Sequence, residues 1–266
     1  MCDSDVYFFQ DGAVNLFSGE RYADDRDVTQ CISLFRRYFP GGSIIYNAKN
    51  IGVALNFDRA ERLMFEKFNV ECAFFLEDDF LLGCSYLSSL KRIADVCLAD
   101  GRAGYFSAMG NQYATLEEQR ARPALLTPMS HNWAFGLTRA QWLKMRPFVM
   151  QYLEIIGESD YRKRDAERVS ALFDSWGVGF PGTSQDVVKS IAVHLTGNVK
   201  LKTYTCYGRY IGEVGLHSTK AIFEKMGFSN AVFVDDDICS VTQIKDSDFN
   251  HARDIGLKYA MEGKNK

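Results

Sequence analysis

The 266-residue sequence predicts an α/β protein with a mostly parallel central sheet flanked by helices. Three observations predict it. Short β-rich runs alternate with helical spacing from Val6 to Leu82. The unbroken apolar run Ala73-Phe74-Phe75-Leu76 reads as a strand buried on both faces. Three carboxylates, Glu77, Asp78 and Asp79, follow it without a break, and the apolar run Phe80-Leu81-Leu82 follows them. Open α/β sheets bind ligands at the carboxyl ends of their strands. Adjacent carboxylates repel each other, and a hard divalent cation completed by substrate phosphates would relieve that repulsion. A solvated acidic turn is the plainer alternative, but such a turn has no reason to be wedged between two apolar runs.

The elements follow in order. Val6 to Phe9 is β-rich and stops at the turn signal Gln10-Asp11-Gly12. Val28 to Tyr38 has helical spacing and is stopped by Pro40-Gly41-Gly42. Ser43 to Tyr46 is a strand, and Asn47 to Gly52 is a polar loop that includes Asn50. Phe57 to Phe68 is an amphipathic helix leading into the central strand. This β-α-β-α-β order predicts parallel pairing with right-handed crossovers. It predicts that Asp11, Asn47 and Glu77 to Asp79 share one sheet edge. Beyond it come a helix at Tyr86 to Leu98, a strand at Tyr105 to Met109 and a charged surface excursion at Leu116 to Arg122. Trp133 to Leu137 is apolar, and Thr138 is placed to cap a helix. Glu158 to Arg168 reads as a solvated helix face, Gly177 to Ser184 as a loop, Asp186 to Leu195 as a helix and Leu201 to Thr205 as a strand. Tyr207 to His217 holds three glycines and reads as a mobile loop. Residues 229 to 266 show no chemistry and read as a C-terminal extension.

Composition narrows the function classes. A net charge of −3 and a pI near 5.9 give no overall attraction to nucleic acid or to anionic membrane. The seven cysteines are widely spaced with no CxxC pair, against a disulfide framework or a zinc site. No signal peptide and no apolar stretch of spanning length are visible, so a cytoplasmic protein without a membrane span is expected. Neither GxxxxGK[ST], GxGxxG after a strand, nor GxSxG is present. His131, His194 and His251 lack metal-ligand spacing.

Candidate chemistry rests on few residues. Asp186 opens a helix after a Gly-rich loop, where the helix dipole favours an ionised carboxylate suited to a general base; a plain first-turn acid is the alternative. Trp133 and Trp142 read first as core aromatics, with sugar stacking by Trp133 as the sharper reading. Arg209 and His217, in one Gly-rich loop, could clamp a diphosphate as that loop closes.

In order along the chain, Phe9-Gln10-Asp11-Gly12, Leu76-Glu77-Asp78-Asp79, Phe106-Ser107-Ala108 with Asn111, Trp133 to Trp142, Gln185-Asp186 and Tyr207 to Ser218 carry a resemblance. They resemble nucleotide-sugar glycosyltransferases of the GT-A fold, in particular the β-1,2-N-acetylglucosaminyltransferase I type and its bacterial relatives. The resemblance covers roughly residues 6 to 225. It implies a GT-A, Rossmann-like mixed but mostly parallel sheet, in a domain over 1–228 with a nucleotide-binding half to about 110, an acceptor half to 228, and an extension over 229–266. It implies that Asp11 contacts uracil, that Asn47 or Asn50 contacts uridine, and that Glu77-Asp78-Asp79 is a version of the DxD motif. There Asp79 holds Mn²⁺ (or Mg²⁺), and Glu77 and Asp78 face the nucleotide. It further implies that Trp133 lines the donor pocket, that Asp186 is the catalytic base, and that the loop with Arg209 and His217 orders over a UDP-sugar. That family has one more strand, ending in a basic residue, ahead of the Gln-Asp strand. This chain starts after it and departs again at Gln185-Asp186-Val187, so an excised piece of a longer protein is expected.

The expected activity is metal-dependent transfer of a sugar from a nucleotide-sugar to a glycan or other hydroxyl acceptor, with inversion. The alternatives are a catalytically impaired sugar-nucleotide-binding module of a larger protein, and a nucleotidyltransferase, for which no basic triphosphate loop is visible. Transfer to DNA bases is disfavoured by the acidic pI.

Overall fold

A computed structural model describes residues 3–215 and 219–262. In chain order its elements are β1 (Tyr7–Gln10), α1 (Asp25–Tyr38), β2 (Ser43–Tyr46), α2 (Val53–Arg62), β3 (Cys72–Phe75), β4 (Phe80–Leu82), α3 (Tyr86–Asp100), β5 (Ala103–Ser107), α4 (Leu116–Arg120), β6 (Leu126–Pro128), β7 (Phe135–Thr138), α5 (Arg139–Ile156), α6 (Ala166–Ser175), α7 (Gln185–Leu195), β8 (Val199–Thr203), β9 (Gly208–Tyr210), α8 (Lys220–Lys225) and α9 (Asp246–Ala260). The chain divides into two compact units. One is Met1–Phe68 with Met150–Trp176, and the other is Asn69–Val149 with Gly177–Lys266.

In the first unit β1 and β2 pair in parallel, Tyr7 opposite Ser43 through Gln10 opposite Tyr46. The α1 helix between them starts at Asp24, whose side chain accepts from Arg26 N, and carries Asp25 and Asp27 in its first turn and Arg36 and Arg37 in its last. These charges complement the helix dipole. Phe35 stacks on Phe8 at 5.0 Å and so ties α1 to β1. The helix expected over Phe57 to Phe68 starts four residues earlier, as α2, and widens into a π-helical turn at Leu63–Lys67.

The second unit holds a five-stranded sheet of order β3-β7-β5-β8-β6 and a two-stranded ribbon β4-β9. In the larger sheet only β5 and β8 run parallel; β3–β7, β5–β7 and β6–β8 are antiparallel. Phe74 of β3 and Phe106 of β5 both lie opposite Gly136 of β7. On that face Phe106 joins the core formed with Leu90, Ile93 and Ala94 of α3 and Leu201 of β8. Successive strand side chains point to opposite faces. Tyr105, Phe135 and Phe75 therefore stack on the other face, at 4.6 Å and 5.2 Å between rings. The Lys189 amine of α7 lies over Phe135 at 5.8 Å, which puts α7 on that side.

The expectation of an α/β chain holds: the central sheet is mixed and flanked by helices. The expectation of mostly parallel pairing does not. The strand β3 takes β7 as its hydrogen-bonded neighbour and is not in one sheet with β1 and β2. An apolar run shows that a strand is buried but carries no information about its partner; β7 arrives 60 residues later with a glycine that fits between two phenylalanines. The glycine-rich segment from Tyr207 is likewise strand at its start, because Gly208–Tyr210 pairs with Phe80–Leu82. Residues 229 onward, expected as an extension, pack into the core of this unit. Val234, Val241, Ile244 and Ala252 belong to the same core as Phe106. The expected capping by Thr138 is present, its hydroxyl accepting from Gln141 N at 3.2 Å. Among the described residues no helix is long and apolar enough to cross a membrane.

Candidate active site

The antiparallel register brings several chain ends to one edge of the large sheet. Phe75, the last residue of β3, lies opposite Phe135, the first of β7, and Phe135 also lies opposite Ser107 at the end of β5. Glu77 to Asp79 therefore emerge beside Trp133 and Ala134. Ala134 is a buried alanine with φ of 42°, in the left-handed region that non-glycine residues avoid. Its carbonyl accepts from the hydroxyls of Tyr86 and Ser107, which hold the strained backbone in place.

The carboxylates interact strongly. Burial, then repulsion from Asp186, Asp79 and Asp78 in that order, lifts the Glu77 carboxyl to about 8, with Lys189 pulling the other way. Glu77 thus keeps its proton at neutral pH and senses all three neighbouring acids. Asp78 is exposed. Asp79 is pushed up by burial and by Asp78, against a hydrogen bond from the Tyr210 hydroxyl. The ribbon fixes this pair: Phe80 lies opposite Tyr210, and Ile211 N donates to the Asp79 carbonyl at 2.8 Å. The remaining oxygen, Asp79 Oδ1, is buried with no hydrogen-bond partner. A buried carboxylate oxygen without a donor carries a desolvation cost that a cation would remove. Among the described residues no three His, Cys, Asp or Glu side chains form a ready-made metal cage.

Asp186 sits in the first turn of α7, capped by Ser184, whose side chain accepts from Val187 N. Its backbone carbonyl accepts from Asn132 Nδ2 at 3.0 Å and from Ser190 Oγ at 2.6 Å. Lys200 Nζ donates to Asn132 Oδ1 at 2.8 Å and to Ser190 Oγ at 2.7 Å. Asn132, Ser190 and Lys200 together brace that turn, while the Asp186 carboxylate has no hydrogen bond among the described residues.

Trp133 is half-buried and stacks between His131 and Tyr210. Trp142 is core, 3% exposed. Arg209 makes no ion pair among the described residues, and its buried Nε has no partner. Strand alternation turns it away from Tyr210, toward the ribbon face that carries Leu81. His217 lies outside the described residues.

The first-unit candidates are occupied within their own unit. The Asp11 carboxylate accepts from the amides of Ile51 and Gly52, each at 3.0 Å, and pins the loop after β2. Asn47 bonds to Arg59, Asn56 and Asp11, and Asn50 accepts from Asn15. The structure thus gathers Glu77, Asp78, Asp79, Trp133 and Asp186 in the second unit, with Asp11, Asn47 and Asn50 in the first.

Sequence reading missed Tyr210, Lys189, Lys200 and His131. One signal was available: Lys200 and Lys202 alternate with buried Val199, Leu201 and Thr203, which puts two cations together on the face of a central strand opposite the core. No family model matches the chain, and none of the curated proteins compared with it matches either.

Proposed function

We propose that this protein is a metal-dependent glycosyltransferase that moves a sugar from a nucleotide-sugar, a UDP-sugar, to an acceptor hydroxyl with inversion. The observation that carries the reading is the buried, unpartnered Asp79 Oδ1 at the strand end that also carries Glu77 and Asp78, with Asp186 near enough to act on the Glu77 carboxyl. A divalent cation such as Mn²⁺ fits the orphaned Asp79 Oδ1 as its protein ligand, because Mg²⁺-like ions take one or two carboxylates and complete their shell with waters and phosphate oxygens. Bound there, it would offset the charge that builds on the leaving nucleotide diphosphate.

The chain's own residues do the rest. Tyr210 orients Asp79 by its hydrogen bond. Asp186, held by the Asn132–Ser190–Lys200 brace and with its carboxylate unengaged, accepts the proton of the attacking acceptor hydroxyl. Trp133, stacked on Tyr210, backs the residue that orients Asp79. Arg209, whose guanidinium makes no ion pair among the described residues, is a contact for phosphate.

A second reading is a sugar-nucleotide-binding module without turnover. Calorimetric titration of UDP with and without Mn²⁺ decides first: metal-dependent binding, lost in Asp79→Ala, supports a donor site, and no binding to folded protein overturns it. Asp186→Asn then separates the two readings. Under the enzyme reading it keeps UDP binding and loses turnover of a UDP-sugar. A wild type that binds but never turns over leaves only the module.

A further inference from the structure

A cavity of about 330 Å³ opens beside Asp186, between the segment ahead of β7, α7, β8 and α9. That volume is at the low end for small-molecule sites, so it suits a compact ligand. Pro128, Met129, Val193 and Ile255 make much of its wall apolar. The charged side chains on the wall are Asp186, Lys200 and Arg253. His131 and His194 also line it, and burial lowers both so that they are neutral at neutral pH. Arg253 pairs with Asp254 at 3.9 Å, which leaves Lys200 as the wall's cation without an ion pair of its own among the described residues.

Two polar groups converge with spare capacity. Lys200 Nζ has three donors. Asn132 and Ser190 take two of them, at 2.8 Å and 2.7 Å. His131 Nε2 pairs with the Met109 carbonyl at 3.1 Å, and its Nδ1 is buried without a partner. With Nε2 as the donor, Nδ1 is an acceptor that awaits a hydroxyl or an N–H.

We propose that this cavity binds a compact monoanion with an apolar ring and a hydroxyl, its anionic group on Lys200. That such a molecule is the sugar acceptor, its hydroxyl presented to Asp186, rests on the glycosyltransferase reading; that it binds here does not. The cavity's size argues against an extended glycan as the occupant.

The test is a calorimetric titration of 4-(hydroxymethyl)benzoate, with 4-(hydroxymethyl)benzamide as the neutral counterpart. It is run at pH 6.5 on the whole chain without metal or nucleotide. The acid binds about tenfold tighter than the amide, the value of one charge-assisted hydrogen bond. Lys200→Met abolishes the preference, so that acid and amide bind alike. Equal binding of the two by the wild type, no binding of either, or an unchanged preference in Lys200→Met overturns the proposal.

If Lys200→Met does not fold, the wild type decides through pH. Burial holds Lys200 near 8 against the attraction of Asp186. The other titratable groups around it are His131, His194, Lys202, Arg253, Tyr105 and Tyr259. Preference for the acid lost by pH 9.5 supports the proposal, and preference kept overturns it. Because no nucleotide is present, failure here leaves the UDP titration standing, and failure there leaves this result standing.

Discussion

Trp133 stacks on Tyr210 with ring centroids 4.5 Å apart and planes 13° apart. The stack joins the residue pair ahead of β7 to the end of β9, and Tyr210 in turn holds Asp79. His131 extends it at 5.4 Å and Phe228 closes it edge-on at 5.6 Å. Trp133→Ala removes the shared partner of all three rings. It should cost about 3 kcal/mol in urea unfolding, in the range of large-to-small aromatic truncations. Because Tyr210 loses its backing, the proposed metal-dependent UDP binding should weaken as well. Trp133→Phe should restore most of the binding. A Trp133→Ala protein that binds UDP as tightly as wild type would separate the stack from Asp79.

Glu77 gives a pH signature. Its folded value near 8 lies above the ordinary 4.5, so between those two values the unfolded chain has released a proton that the folded chain retains. Stability from this group is therefore complete below 4.5, falls as pH rises and is gone above 8. Each unit is worth about 1.4 kcal/mol, and partial access of water reduces the total to about 2–3 kcal/mol. His131 acts in the opposite sense. Burial holds it at about 3, so its contribution is present above 6.5 and fades as pH falls. The two offset each other between 4.5 and 6.5, which leaves Glu77 to drive a decline from 6.5 to 8. In chelator-treated protein Glu77→Gln should match wild type at pH 4 and exceed it by about 2 kcal/mol at pH 8.5. Parallel pH curves for the two proteins would contradict the assignment.

Much of the local structure was legible in the sequence. The strands at Ser43–Tyr46 and near Ala73, the helix after Gly83 and the cap at Thr138 all follow from apolar period, glycine stops and hydroxyl placement. The acidic strand end was legible for the same reason, since three carboxylates after a buried run have nowhere to go but a sheet edge. Partner choice was not. Whether Phe74 meets a strand 30 residues earlier or 60 later depends on how Gly136 fits against it, and no local pattern encodes that. Lys200 and His131 were missed because their roles depend on a cavity assembled from three separate stretches, 128–133, 186–200 and 252–259.

Ala134 makes a prediction of opposite sign to the usual one. Exchanging alanine for glycine in an ordered segment normally destabilises through the flexibility that glycine adds to the unfolded chain. Here φ is 42°, which glycine adopts without cost, and the alanine side chain is fully buried. The strain released, on the order of 1 kcal/mol, should cancel or exceed the entropic loss. Ala134→Gly should thus be neutral or stabilising by up to about 1 kcal/mol in urea unfolding. A clear loss would mean that the buried methyl outweighs the backbone.

Gly136 makes the complementary case, because here the missing side chain is required. A Cβ built on Gly136 would lie 2.3 Å from Phe106 Cε2 and 2.5 Å from its Cζ. Phe106 is fully buried against Leu90, Ile93 and Leu201, so the ring cannot move aside without displacing α3 from the sheet. Phe74, opposite Gly136 from the other side, packs against the same core and narrows the gap further. Gly136→Ala should therefore cost about 3 kcal/mol, at the upper end for an overpacked core. Phe106→Leu in the same chain should recover part of that loss, since the smaller side chain vacates the space the methyl needs. Non-additivity of the two substitutions in a double-mutant cycle is the measurement that checks it. Additive losses would mean that the strand shifts as a whole and that Phe106 is not what reserves this position for glycine.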